Sequence, residues 1–231
     1  MVLNRRSFVL GVAPAVALAG SDLRLRLDSL NGLEVIGRTP HSRFEVAPLH
    51  GRRAVRIVQV LEADENGTQV GDAMAILTKP DFGDGTIEVD VAGSPREGAP
   101  PDARGFVGIA FRVEPHGSAF ECFYIRPTNG RAADQLLRNH SVQYVSAPDY
   151  SWKRLRTENP GVYESYADME PGVWTKLKIE VAGVKAKLYV NGARQPCLIV
   201  NDLKRGQSRG QIALFAGTDA ECHFANLAVR D

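Results

Sequence analysis

The strongest constraint in the sequence is a period of two. Leu23, Leu25 and Leu27 alternate with Arg24, Arg26 and Asp28, and Ile87, Val89 and Val91 alternate with Glu88 and Asp90. Leu177, Ile179 and Val181 are followed by Ala186, Leu188 and Val190 in the same rhythm. Side chains of an extended chain point alternately to opposite faces, so such runs read as half-buried strands. Further runs span 53–61, 73–78, 105–113, 119–126, 174–181, 185–190, 211–216 and 222–229. Asn66-Gly67, Asp84-Gly85, Asn129-Gly130 and Asn191-Gly192 punctuate them, and such dipeptides favour the positive φ that tight turns need. Many short strands with little helical periodicity predict an all-β fold, a two-sheet antiparallel sandwich.

The N-terminus departs from this rhythm. Asn4-Arg5-Arg6-Ser7-Phe8 precedes an apolar stretch, 9–19, that ends in Ala17-Leu18-Ala19. Paired arginines, an apolar run and a small-residue end predict an export signal over residues 1–19, twin-arginine in type, and a periplasmic or secreted product. Asn4 stands where Ser or Thr is usual in that motif, and Val9 where Leu is usual. Residues 20–231 then form a single sandwich domain. The 28 Lys and Arg against 27 Asp and Glu give a net charge of +1, which cleavage after Ala19 would turn slightly negative by removing Arg5 and Arg6. That balance offers no footprint for a phosphate backbone, so nucleic acid is not an expected partner. No later segment is apolar for long enough to span a membrane. Cys122, Cys197 and Cys222 have no CxxC or CxxH spacing and predict no zinc site, while an oxidising compartment would allow one pair to bridge. Neither a metal-ligand run nor a cofactor-binding motif is found.

Between Pro127 and Gly172 the alternation fades. A stretch this long without obvious strands is usually functional, and its composition speaks against disorder. It holds Tyr144, Tyr150, Tyr163 and Tyr166 of the six tyrosines, and Trp152 of the two tryptophans, but no phenylalanine. Aromatic rings with a polar handle suit a surface that is packed on one side and wet on the other. The segment, 127–172, therefore reads as a polar-aromatic loop insertion that carries function.

The strand motifs resemble a known fold. Trp174-Thr175-Lys176-Leu177-Lys178-Ile179-Glu180-Val181, Leu188-Tyr189-Val190-Asn191-Gly192, Gly210-Gln211-Ile212-Ala213-Leu214 and Phe224-Ala225-Asn226-Leu227-Ala228-Val229 are similar to the C-terminal half of concanavalin A-like lectin and glucanase jelly rolls. Upstream, Asp84-Gly85-Thr86-Ile87-Glu88-Val89, Gly108-Ile109-Ala110-Phe111-Arg112 and Phe120-Glu121 resemble the middle strands of the 3-keto-disaccharide hydrolase family of exported bacterial proteins. The resemblance covers roughly residues 71–229 and implies the jelly-roll sandwich more directly than any reaction. Two departures stand out. The strand that carries Glu121 ends in Ile125-Arg126-Pro127 where that family usually has an acidic residue. Glu88-Val89-Asp90-Val91-Ala92 supplies two of the three alternating acids of the related glucanases. Glu88 and Asp90 therefore read first as a solvated strand face.

The candidate site follows from parity and composition. Cys122, Tyr124 and Arg126 share one strand face, as do Gly108, Ala110 and Arg112, with apolar residues opposite. The small residues leave room beneath Tyr124, Arg126 and Arg112, a face suited to a sugar. Glu121 falls on the core side of that parity. His140 and Tyr144, if extended, would face one side as base and oxyanion donor. Asp149, Tyr150, Trp152 and Arg154 could stack on a pyranose and bind its hydroxyls, and Arg138 lies nearby in sequence. The expected catalytic residues are thus His140, Glu121 and Asp149. The expected binding residues are Arg112, Tyr124, Arg126, Arg138, Tyr144, Tyr150, Trp152 and Arg154. The expected function is that of an exported glycoside hydrolase or lyase acting on a carbohydrate or glycoside, 3-keto glycosides among them. The alternative is a non-catalytic, lectin-like carbohydrate-binding module.

Overall fold

A computed structural model describes residues 22–36, 42–60 and 72–231, together with the backbone of 62–63 and 69–70. The export signal, His41 and the Asn66-Gly67 turn lie outside the described residues. In chain order the strands are β1 (Asp22–Leu25), β2 (Leu33–Ile36), β3 (Arg43–Leu49), β4 (Arg52–Val58), β5 (Glu62–Ala63), β6 (Gln69–Val70), β7 (Ala73–Leu77), β8 (Gly85–Pro95) and β9 (Val107–Val113). They continue with β10 (Phe120–Ile125), β11 (Val142–Ala147), β12 (Glu164–Ser165), β13 (Thr175–Ala182), β14 (Lys185–Val190), β15 (Leu198–Val200), β16 (Gln211–Ala216) and β17 (Ala220–Arg230). Three short helices, α1 (Pro127–Gly130), α2 (Gln135–Asn139) and α3 (Trp152–Glu158), fall between β10 and β12.

Apart from β5 and β6, which pair with each other, the strands form two antiparallel sheets. The first has the order β15-β14-β13-β8-β17-β4-β3, with β1 also paired to β17; the second has the order β12-β11-β10-β9-β16-β7-β2. The expected alternation packs them. Ile87, Val89 and Val91 of β8, Leu177, Ile179 and Val181 of β13, and Ile109, Phe111 and Phe123 of the facing sheet are buried in one core. This is the predicted two-sheet jelly-roll sandwich, and the concanavalin A-like architecture. Each fully buried aliphatic side chain contributes roughly 1.5–3 kcal/mol, which is why register is fixed so firmly by parity.

Glu88 and Asp90 do share a face, but it is the outer face of the first sheet. Glu88 pairs with Lys176 and Arg230, and Asp90 accepts from Arg52 and Asn226 at 2.8 Å each. They are a solvated, charge-neutralised strand surface.

The segment 127–172 is more structured than a loop. β11 completes the second sheet beside β10, and capping side chains start two of the helices. Asp134 accepts from the backbone N–H groups of Leu136 and Leu137 to open α2, and Ser151 Oγ accepts from Arg154 N to open α3. Asn129-Gly130, expected as a hairpin turn, lies in α1. A Cβ on Gly130 would stand 2.4 Å from the Met169 carbonyl, so the glycine permits a close backbone approach rather than a hairpin. The three cysteines are free thiols, with Cys122 and Cys222 buried. No described helix is long and apolar enough to cross a membrane.

Candidate functional site

The outer face of the second sheet carries the distinctive chemistry. Register places Ile36, Met74, Phe215, Gly108, Tyr124, Gln143 and Glu164 in one row across it, from β2 to β12. The row grades from apolar at one end to polar at the other, and two depressions open along it.

Beside Phe215 and Tyr124 lies a pocket of about 450 Å³ walled by Phe106, Phe120, Tyr124, Phe215, Tyr150 and Trp152, with Asp72 and Thr218 also at its lining. Tyr124 and Phe215 stack with ring centroids 5.7 Å apart, a geometry open to them because Gly108 lies between them in the row. A Cβ on Gly108 would come within 2.6 Å of Tyr124 Cα and Cβ. Burial pushes the Tyr124 hydroxyl up to about 12 against the opposing pull of Arg126, so it stays protonated at neutral pH.

The polar end is a cleft of about 670 Å³ lined by His140, Glu164, Arg156 and Tyr166, among others. His140 caps the C-terminus of α2, and its Nε2 lies 3.2 Å from Glu164 Oε1. Glu164 is almost fully buried and accepts from Arg156 Nε and Nη2 at distances down to 2.7 Å. Burial holds the His140 imidazole below its usual range, Glu164 opposes that shift, and Arg156 and Arg126 reinforce it. A neutral imidazole beside a fixed carboxylate is a competent proton acceptor, since the cation it becomes already has its counter-ion.

Two arginines join the depressions. Arg126 donates from Nη1 to the His140 carbonyl at 2.7 Å, and from Nη2 to Tyr124 Oη at 3.1 Å and Gln143 Oε1 at 3.2 Å. Arg156 stacks over the Trp152 ring at 4.8 Å while holding Glu164. The positions Trp152 and Arg156 are four apart on α3, which puts both on one face.

Of the residues expected from sequence, the structure gathers His140, Tyr124, Arg126, Tyr150 and Trp152 around these depressions. Arg138 and Arg154 sit behind them: Arg138 donates to Tyr166 Oη at 2.8 Å and covers its ring, and Arg154 covers Tyr150 at 4.3 Å. Asp149 lines a separate depression with Tyr150, Lys204 and Arg205.

Three residues lie elsewhere. Glu121 is enclosed on the core side of β10, where its carboxylate accepts from Tyr144 Oη at 2.6 Å and Arg205 N at 2.8 Å. Tyr144 faces the core with it, because β11 starts at Val142 and α2 ends at Asn139; His140 and Tyr144 are not on one extended strand. Arg112 is fully buried at a bulge of β9 with φ +51° and binds the carbonyls of Gly83, Gly183 and Gly206 and the Asp84 carboxylate. It ties loops together at one end of the sandwich.

Glu164, Arg156, Gln143, Tyr166 and the phenylalanines of the pocket were not anticipated as site residues. The helix signal at Ser151 could have placed Arg156 over Trp152. The pairing of Gln143 with Glu164 across β11 and β12 is non-local and left no mark in the sequence. Among the described residues, no group of three or more His, Cys, Asp and Glu side chains is placed to hold a metal ion.

The two-sheet sandwich is shared, at the level of fold, with known structures. The carbohydrate binding module CBM66 from Bacillus subtilis superposes with a TM-score of 0.53 at 16% identity, over 85% of this chain and 93% of that one. The Bacillus licheniformis beta-glucanase gives 0.52 at 14% identity, over 92% and 99%. A Bacillus subtilis protein of unknown function with a galectin-like fold gives 0.57 at 11%, over 92% and 96%. No curated protein matches the sequence. Residues 48–230 match the model of the 3-keto-alpha-glucoside-1,2-lyase-like domain, and the chain belongs to that family.

Proposed function

We propose that the protein is an enzyme that removes the C1 substituent of a 3-keto glycoside by elimination, with His140 as the base. The observation that carries this reading is the His140 imidazole, held 3.2 Å from a buried, arginine-bound Glu164 in an open cleft. A ketone at C3 acidifies the proton on C2, so a single base suffices to start the reaction, without the two spaced carboxylates of ordinary glycosidases. His140 takes the C2 proton. The C–H electron pair is first held as the enolate of the C3 ketone, and it then becomes the C1–C2 double bond as the C3 carbonyl re-forms and the C1–O bond breaks, the C1–O pair leaving on the aglycone oxygen, which takes a proton from solvent. Glu164 holds the imidazolium that forms, and the positive charge of Arg156 and Arg126 favours the enolate in the cleft. The name of the family, a 1,2-lyase, describes the same bond change.

The test is incubation of the pure protein with methyl 3-keto-α-glucoside, following the absorbance of the conjugated enone. Wild type generates it, and His140→Ala lowers the rate by roughly 10²–10⁴-fold, the range for loss of a general base. Full activity in His140→Ala overturns the role of His140.

A second reading, a non-catalytic carbohydrate-binding module, is favoured by the exposed ring of Trp152, a surface on which a sugar face can stack. It requires saturable sugar binding with no enone from any 3-keto glycoside. Export to the periplasm or beyond is part of the proposal and rests on Arg5, Arg6, Phe8 and the apolar run that follows.

A further inference from the structure

We propose that the aromatic pocket is an aglycone subsite, and that the substrate it selects is an aryl glycoside, a sugar joined to a phenolic ring, rather than a disaccharide. This rests on the elimination reading for the cleft and extends it to what leaves from C1.

The argument starts from which side chains form the walls. Phe106 just before β9, Phe120 at the start of β10 and Phe215 in β16 come from three separate parts of the chain, and none can bond a hydroxyl. Tyr124 adds its ring face to the floor, stacked on Phe215, while its oxygen is occupied by Arg126. Ser151 Oγ, also at the wall, is engaged as the helix cap of α3. A second sugar ring would bring several hydroxyls against these rings with few partners, and a buried hydroxyl without a partner opposes binding. A flat aromatic ring meets the opposite case, since ring faces and edges already define the walls.

Position supports the same assignment. Arg126 reaches from the His140 carbonyl to the Tyr124 hydroxyl, and Arg156 from Glu164 to the Trp152 ring. A ligand with its sugar beside His140 therefore directs whatever is attached at C1 along these arginines toward the aromatic pocket. The chemistry is consistent as well. Breaking the C1–O bond places the electron pair on the aglycone oxygen, and a phenolate carries it far more easily than a sugar alkoxide. Phenol and the unsaturated 3-keto sugar are the balanced products.

Three substrates and one variant test the assignment: methyl 3-keto-α-glucoside, which has almost no aglycone, its 4-nitrophenyl counterpart, and 3-ketomaltose. Thr218→Phe fills the pocket from a part-exposed loop position. Its fold is checked by circular dichroism and by unchanged turnover of the methyl glycoside. In wild type, kcat/KM for the 4-nitrophenyl compound should exceed that for the methyl compound and for 3-ketomaltose by at least tenfold, about 1.4 kcal/mol of transition-state binding. In Thr218→Phe the aryl value should fall at least tenfold while the methyl value stays unchanged, the leaving-group advantage of the phenolate remaining. Preference for 3-ketomaltose, or equal loss of methyl and aryl turnover in the variant, overturns the aglycone assignment while leaving the elimination intact. If no substrate is turned over, binding of 4-nitrophenyl α-glucoside by calorimetry separates the two ideas. Binding that Thr218→Phe abolishes keeps the pocket and removes the reaction, and no binding removes both.

Discussion

Glu121 and Tyr144 were expected in the site, and their buried pairing makes a quantitative prediction about stability instead. Tyr144→Phe deletes one oxygen. That oxygen donates to Glu121 Oε2 at 2.6 Å and accepts from Lys204 N at 2.9 Å, with both side chains fully buried. A hydrogen bond to a charged group contributes about 1.5–3 kcal/mol, and a neutral one about 1 kcal/mol. The variant should therefore lose about 3 kcal/mol, and a domain of this size shifts its Tm by roughly 2–4 °C per kcal/mol, so melting should fall by roughly 6–12 °C. Glu121→Gln keeps the shape and removes the charge. In a double-mutant cycle read by urea unfolding, the two substitutions should couple by about 1.5–3 kcal/mol. The pH dependence has a definite sign. Burial and the Glu121 charge hold the Tyr144 phenol above its ordinary value, so its contribution is whole below about pH 10, where the unfolded tyrosine titrates, and shrinks as pH rises beyond that. Stability of Tyr144→Phe within about 0.5 kcal/mol of wild type, or a coupling near zero, would refute the reasoning. A variant that is fully stable yet inactive would return the pair to the site.

Arg112→Lys should destabilise by about 2–5 kcal/mol, because a single ammonium cannot serve three carbonyls and a carboxylate at once; an unchanged urea midpoint counts against that view. An NMR titration of His140 should place its pKa below 6.5, and Glu164→Gln should move it lower still, since Glu164 is the contribution that opposes burial; a rise in the variant contradicts the assignment. By the same linkage, stability attributable to His140 is present above pH 6.5 and is lost as pH falls through that window. Replacing Arg5 and Arg6 by lysine should retain the protein in the cytoplasm of a twin-arginine-competent host, and undiminished periplasmic recovery speaks against a twin-arginine signal.

Parity explains most of what could be read from sequence. Leu177, Ile179 and Val181 point inward as their spacing requires, and the outer face of β9 and β10 carries Gly108, Ala110, Cys122 and Tyr124 as expected. The anomaly of Glu121, an acid on the core side, was visible too, but its resolution needed Tyr144 and the backbone of Arg205, far away in sequence. β11 has a weak sequence signature because the buried Gln143 breaks its apolar pattern; the glutamine is tolerated since it donates to the Tyr144 and Tyr163 carbonyls. His140 was singled out for its polar neighbourhood, whereas its partner Glu164 depends on the pairing of β11 with β12, which local pattern does not encode.

The placement of β17 governs how such a chain can reach this state. Phe224 is in register with Val91 of β8 on one side and Val55 of β4 on the other, and Val229 pairs with Leu23 of β1. The strand that fills the middle of the first sheet is thus the last one in chain order, so its neighbours must wait as two apolar, unpaired edges. Pairings this distant in sequence form slowly, on the millisecond-to-second scale of β-sandwiches, and open edges of that kind recruit other chains. The interval before β17 inserts is where aggregation competes with folding.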